Sequence, residues 1–312
     1  MKLGHVLITS IKNEGPFIVE WVAHHRVMGF DHIFIASNDC SDGSDALLVA
    51  LDRAGVIGHA PNVLQPGEVP QHAGYVHMRK RFWLDLAQWL MVLDVDEFLQ
   101  VAVGQGRVQD LTAQAPPEID VIALCAMTFG TAAGPWNPGR VCERFQQRLT
   151  LSHPANRLIK SITRAPGRFR AIHNHSLVGF RPKTPLQVMR ADRSVFEIPV
   201  GVSIWNRLRN FNQREVTHDI AYFNHYAIKT RDSFDVRKAR GRGTAKDQTA
   251  ENLRHTQIYF DDIAKAWVPD DTILSLSSQV QAEMDRILAL PGVALAQANA
   301  EAGYSTLISA LG

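Results

Sequence analysis

Trp89-Leu90-Met91-Val92-Leu93-Asp94-Val95-Asp96-Glu97-Phe98-Leu99 is an apolar run that ends in three carboxylates. Five consecutive apolar residues ahead of the first acid predict a strand buried on both faces, its C-terminal end opening into solvent or a cleft. Open α/β sheets bind their ligands at such ends. Side chains alternate along a strand, so Asp94 and Asp96 should lean the same way while Val95 points inward. Two carboxylates in one small space repel unless a cation sits between them. The pair therefore points to Mn²⁺ or Mg²⁺, hard ions that take oxygen ligands and bridge to diphosphates. A lone Asp-x-Asp also fits an inert solvated loop, so the rest of the chain must decide.

Upstream, Leu3 to Ile11 is nearly continuous in apolar residues and predicts a central strand. Lys12-Asn13-Glu14-Gly15-Pro16 follows, with Pro16 suited to the first turn of a helix. Phe17, Trp21 and His25 share one face of that helix, Ile18, Val22 and Met28 lie beside it, and Gly29 stops it. A second strand at His32-Ile33-Phe34-Ile35-Ala36 completes a βαβ unit with a parallel pair. Its polar end, Ser37-Asn38-Asp39-Cys40-Ser41-Asp42-Gly43-Ser44, leads to a helix from Asp45 to Ala54 that Ser44 is placed to cap. Asp39 directly follows the strand and is too far from the helix to cap it, so it stands out as a candidate ligand-gripping residue. Val56 to Ala60 and a helix from Ala73 to about Ala87 bring the chain to the opening strand. This alternation is that of a nucleotide-binding half-domain.

Beyond Leu99 the pattern changes. Val121 to Met127 reads as a strand, and short apolar segments separated by basic residues and prolines continue to about residue 228. Ile273 to Leu290 has the spacing of a packing helix, and no internal repeat appears.

The 312 residues suffice for one large core or two modest ones, and 46% hydrophobic with 21% charged residues is a soluble composition. A net charge of +2 gives no reason to expect nucleic acid. The apolar part of the N-terminal segment is too short for a secretory signal, and no stretch of about eighteen apolar residues occurs, so a cytoplasmic protein is expected. Cys40, Cys125 and Cys142 are odd in number and lack CxxC spacing, which predicts free thiols.

His173-Asn174-His175 alternates like a strand, so its two imidazoles should share a face, and Asn224-His225-Tyr226 sits at the end of an apolar segment. Either His173 or His225 is a candidate to complete a metal site begun by Asp96, and either is equally a histidine satisfying a buried hydrogen bond. Lys229, Arg231, Arg237, Lys238, Arg240 and Arg242, with Gly241 and Gly243 interleaved, form a basic run. Such a run can close over a diphosphate, form a solvated face, or contact an anionic membrane surface.

Asn13-Glu14-Gly15-Pro16-Phe17, Gly29-Phe30-Asp31-His32-Ile33, Asn38-Asp39-Cys40-Ser41-Asp42-Gly43-Ser44 and Leu93-Asp94-Val95-Asp96-Glu97-Phe98-Leu99 together resemble the family 2-like glycosyltransferases. Phe129-Gly130-Thr131, Glu143-Arg144-Phe145, Lys160-Ser161-Ile162, His173, and Asn224-His225-Tyr226 with Lys238-Ala239-Arg240-Gly241 extend the likeness in order to about residue 243. The resemblance implies an α/β GT-A fold: a Rossmann-like, mostly parallel sheet with flanking helices and a C-terminal helical extension. It divides the chain into a nucleotide-sugar-binding half (1–115), an acceptor and metal-completing half of the same domain (116–243), and the extension (244–312). It further implies a nucleotide-sugar donor, a UDP-sugar first among them, a carbohydrate or lipid-linked acceptor, and a divalent metal. Asp39 would contact the base or ribose, Asp94 the ribose or the metal, and Asp96 the metal, with Asn13, Glu14, Lys238 and Arg240 around the nucleotide. Peripheral contact with the inner face of a membrane is a separate expectation, drawn from the basic run after residue 228 and not from the resemblance.

The implied chemistry is transfer of a sugar with loss of a nucleoside diphosphate, whose developing charge a metal stabilises as a Lewis acid. An inverting course needs a carboxylate base at the acceptor hydroxyl, for which Glu97, Glu143 and Asp192 are candidates. The rival enzyme is a haloacid-dehalogenase-type phosphatase, whose nucleophile motif is also Asp-x-Asp after an apolar strand. Phe98 and the three preceding βα units disfavour it. A non-catalytic nucleotide-sugar-binding module is the third reading.

Overall fold

Three βα units carry the chain to the Asp94-Val95-Asp96 segment: β1 (Leu3–Ile11), α1 (Gly15–Val27), β2 (His32–Ser37), α2 (Ser44–Arg53), β3 (Gly58–Pro61), α3 (Pro70–Arg81) and β4 (Ala87–Val92). This computed structural model describes residues 3–241, 243–244 and 256–311. The second half adds β5 (Glu97–Val101), β6 (Val121–Thr128), β7 (Ile159–Arg164), β8 (Leu186–Arg190), β9 (Val195–Ile198) and β10 (Ala221–His225). The helices α4 (Arg231–Ala239), α5 (Ser277–Leu288) and α6 (Val293–Ser309) follow.

These strands form one 10-stranded sheet in the order β9-β8-β6-β7-β4-β1-β2-β3, with β10 joined to both β5 and β6. β1, β2, β3 and β4 are mutually parallel, and β7 enters antiparallel between β4 and β6. The protein is thus α/β, with a mostly parallel central sheet flanked by helices. Both halves of the chain contribute to that one sheet.

The sheet is buried on both faces, which is why its strands read as continuous apolar runs. Leu7, Met91, Leu124 and Ala126 point into one core, and Val6, Ile8, Leu90, Val92 and Cys125 into the other. Each fully buried Leu or Ile contributes about 1.5–3 kcal/mol relative to exposure.

α1 differs from the amphipathic helix its spacing suggests, for it is buried almost all round from Gly15 to His25. The sheet covers one side, and α5 and α6 pack against it from the other. The small residues of α6 allow close approach: a Cβ on Gly303 would lie 2.3 Å from the Asp42 carbonyl oxygen. Glu20, in the middle of α1, is buried and accepts the N–H groups of Val141 (2.7 Å) and Cys142 (3.1 Å), capping the short helix Val141–Arg144. Burial pushes its carboxyl up despite those bonds.

Other local expectations shift. α3 begins at Pro70 and ends at Arg81, and a tight turn at Leu84–Leu86 replaces its last residues. Gly43, at φ 91°, caps α2, while Ser44 is the first helical residue and its Oγ accepts from the Glu14 N–H (3.2 Å). His173 and His175 lie in the loop of the hairpin Phe169–Ile172 and Leu177–Phe180, not on a strand, yet both rings pack against Trp205, with centroids 5.0 and 5.3 Å away. The helix expected over Ile273–Leu290 is α5 preceded by a turn at Thr272–Leu276. The three cysteines are free. Among the described residues, no helix is long and apolar enough to cross a membrane.

Candidate active site

A cleft opens at the C-terminal ends of β1, β2 and β4, the crevice beside the strand where the order 3-2-1-4 reverses direction. Ser10, Lys12 and Glu14 line it from the loop after β1, Asn38 and Asp39 from the loop after β2, and Asp94, Val95 and Asp96 from the turn after β4. Gln71, Asn174, Arg237, Arg240, Gly241, Gly243 and Thr244 close the other walls.

Asp94 and Asp96 reach the cleft by a different geometry from the strand alternation expected. β4 ends at Val92, and the Glu97 N–H donates to the Asp94 carbonyl (2.9 Å) across a tight turn. The Asp94 side chain is a third exposed, and that of Asp96 is buried. Burial alone would raise both carboxyls. Lys160 outweighs it at Asp94, and at Asp96 the cations Arg237, His225, Lys229 and Arg240 hold the carboxyl far below the ordinary range.

Register in the sheet supplies the partners. β10 runs antiparallel to β5 with His225 opposite Glu97 and Asn224 opposite Phe98. That pairing sets the His225 Nε2 3.8 Å from Asp96 Oδ2. Asp96, Glu97 and His225 each offer a ligand atom within 4.8 Å of the others. Asp96 Oδ1 is buried with no hydrogen-bond partner among the described residues. An orphaned carboxylate oxygen beside an imidazole is a donor pair that fits Mn²⁺ or Mg²⁺. His173 is not in this group; its ring packs on His72 and Trp205, with centroids 4.4 and 5.0 Å away.

Lys160 lies wholly buried beneath the turn, its Nζ 2.8 Å from Glu97 Oε2 and 3.1 Å from Asp94 Oδ2. The same Glu97 oxygen accepts the Asp94 N–H (2.9 Å). Burial, reinforced by Asp94 and Asp96, pushes Glu97 up to about 8 against the pull of Lys160. The two carboxylates in turn raise Lys160 despite its own burial. Glu97 is therefore a buttress of the turn and does not line the cleft.

Helix α4 covers the cleft with its cations. Arg237 pairs with Asp96, and Arg240 pairs with Glu14 and donates to the Lys12 carbonyl (2.8 Å). Positions 237 and 240 share a helix face, and Lys238 does not; Lys238 is exposed and outside the cleft, so Arg237 takes the place expected for it. Arg242 lies outside the described residues.

Asn13 also stands back from the cleft. Its Oδ1 accepts the Ser41 N–H (2.7 Å), and its φ of 53° is a left-handed conformation that Asn tolerates better than most residues. Asp39 has the same backbone geometry, with φ 48°, at the exposed cleft mouth. Asn13 thus fixes the loop that presents Asp39. Such outliers cluster at functional sites.

Two base candidates are corrected by position. Glu143 is exposed and bonded to Arg140 and to Ser277 Oγ (2.9 Å). Asp192 sits in the exposed turn between β8 and β9, accepting from Ser194. Neither lines the cleft. Sequence reasoning named Arg237 only within the basic run and Lys160 only within a motif of the resemblance, and gave neither its own role in the site. The half-polar sequence of the strand Ile159–Arg164 carried no local sign that Lys160 would be buried, whereas helical pitch with Arg240 was available for Arg237.

Comparison with known proteins gives relatives of one kind. The chain is 24% identical over 172 residues to a glycosyltransferase family 92 protein of Oryza sativa subsp. japonica, covering 54% of this chain and 29% of the relative. It is 24% identical over 244 residues to a family 92 protein of Ricinus communis, covering 76% of this chain and 42% of the relative. The chain resembles glycosyltransferases. Those relatives are of family 92, not of the family 2-like group that the motifs suggested. The chain spans less than half the length of these curated relatives. No family model matches it. Among solved structures it is similar to S. aureus TarS, at a TM-score of 0.37 and 12% identity, covering 99% of this chain and 55% of that one.

Proposed function

We propose that this chain is a glycosyltransferase that moves a sugar from a nucleotide-sugar donor to a hydroxyl acceptor. The observation that carries the reading is the Asp94-Val95-Asp96 turn in the sheet-end cleft, facing Arg237 on α4 and Arg240 at its C-terminal cap. An anionic diphosphate is the ligand that such a wall of cations recognises, and Arg can engage phosphate oxygens in bidentate fashion. Asp39, at the mouth of the cleft, is placed to accept hydrogen bonds from ribose or base.

Asp96 and His225 are the residues that would hold Mn²⁺ or Mg²⁺, with Glu97 beneath them tied to Lys160, and the ion would supply positive charge against the departing diphosphate. The chain's own contribution is to keep Asp96 ionised through Arg237, to fix the turn through Lys160, and to bring Arg240 over the first loop. Transfer with inversion is the proposed course. Its base then comes from the carboxylates of the cleft wall, of which Glu68 has no cation partner among the described residues and no role at the nucleotide. A UDP-sugar donor, a carbohydrate or lipid-linked acceptor and a cytoplasmic setting complete the proposal.

The test is thermal stabilisation by a panel of UDP-, GDP- and CMP-sugars with and without Mn²⁺. A donor at about 100 times its Kd adds about 2.7 kcal/mol. Loss of that shift in Asp96→Ala supports the reading, and full sugar transfer by the same variant refutes the site.

A further inference from the structure

Arg237 and Arg240 of the basic run after residue 228 are engaged at the cleft, but a second basic surface elsewhere is not. Two adjoining hollows share Arg170. One is lined by Val76, Trp83 and Leu86, the other by Val200 and Val202, and all five of these side chains are about half exposed or more. Trp83 is the extreme case at 71% exposed. Five of the twelve large exposed apolar residues among those described therefore line these two adjoining hollows.

Their exposure is built in. Phe82 stacks on Phe34 with centroids 4.1 Å apart, and Leu84 is fully buried, so the chain is anchored on both sides of Trp83. Trp83 itself has φ 49°, a left-handed backbone conformation that is costly for an aromatic residue. Arg79 then staples the turn to the neighbouring hairpin, bonding to Asp85 Oδ1 (2.8 Å) and to the carbonyls of Phe169 (2.7 Å) and Arg170 (2.9 Å).

Asp85 is the one carboxylate lining either hollow among the described residues, and Arg79 neutralises it. Lys80, Arg170 and Arg181 surround the apolar groups and make no ion pair among the described residues. A rigid apolar patch with an outward Trp and a rim of unpaired cations is complementary to a layer of anionic headgroups over acyl chains.

We propose that this face docks on an anionic lipid bilayer. The partner is the membrane surface itself, and the proposal stands independently of the sugar-transfer reading. The test is co-sedimentation of the full chain with phosphatidylcholine vesicles and with phosphatidylcholine–phosphatidylglycerol vesicles, at low and high salt. Binding to the anionic vesicles alone, weakened by salt, is expected. Lys80→Glu/Arg170→Glu/Arg181→Glu should lose it by well over tenfold, because each cation near such a surface is worth about fivefold. Trp83→Ser/Leu86→Ser should lose it with an unchanged melting temperature. If the apolar variant does not fold, the charge variant decides alone. Wild-type binding that is absent, or unchanged in the charge variant, overturns the proposal. So does a concentration-dependent dimer abolished by the same substitutions, which would assign the face to a second copy.

Discussion

Arg237 and Asp96 lie 141 residues apart in the chain and form a largely buried ion pair at the centre of the cleft. The pair makes Asp96 a charged carboxylate before any ligand arrives. Truncating one partner of a buried pair leaves the other uncompensated, at a cost of about 3–5 kcal/mol. Arg237→Ala should therefore lower the urea-unfolding free energy by that order. Mn²⁺ should restore more stability to this variant than to wild type, since the cation would replace the missing charge beside Asp96. Equal Mn²⁺ effects on the two proteins would argue against a metal at this carboxylate.

Lys160 presents a second buried charge, facing Asp94 and Glu97 at once. Lys160→Met should destabilise the fold by about 3 kcal/mol or more, because two carboxylates are left with no cation beneath the turn. Adding Glu97→Gln removes one of them and should recover part of the loss. A double-mutant cycle in urea reads the coupling, expected at about 1–3 kcal/mol. Strict additivity would show that the contact carries no energy.

His24 makes stability depend on pH. It is buried in α1, its Nε2 bonded to the Leu99 carbonyl (2.8 Å), and burial lowers its pKa from 6.5 to about 4. Between those values the unfolded chain takes up a proton that the folded chain refuses. Stability contributed by the neutral imidazole is therefore complete above pH 6.5 and lost as pH falls toward 4, by about 3 kcal/mol for such a shift. His24→Gln should flatten that part of a stability-versus-pH curve measured by urea unfolding. An unchanged slope would place the acid sensitivity elsewhere, His25 being the first alternative since burial also holds it well below its ordinary value.

Gly303 is where α6 meets the loop ahead of α2. A Cβ there would stand 2.3 Å from the Asp42 carbonyl oxygen, and backbone cannot swing aside as a side chain can. Gly303→Ala should cost about 1–3 kcal/mol through overpacking, even though Ala is the better helix former. A rise in melting temperature on this substitution would contradict the packing described.

The sequence by itself determined the order of the first four strands and three helices, because each is encoded by local periodicity and by Pro, Gly and capping residues near its ends. It also determined that Asp94, Asp96 and Asp39 follow strands, and that position brings them into the cleft. What it did not determine is pairing across distance. Whether His173 or His225 stands by Asp96 depends on β10 lying in register against β5, a contact between segments more than a hundred residues apart that no local pattern specifies. The burial of α1 on every side came from α5 and α6, whose own spacing marks a packing helix but not its partner. The exclusion of Glu143 and Asp192 came from sheet topology, since a carboxylate carries no sign in sequence of which end of the sheet it will occupy. Local structure follows from steric preferences and hydrophobic spacing within a few residues. The charge pairs that complete this site, Arg237 with Asp96 and Lys160 with Glu97, exist only because the folded sheet brings distant groups out of water together.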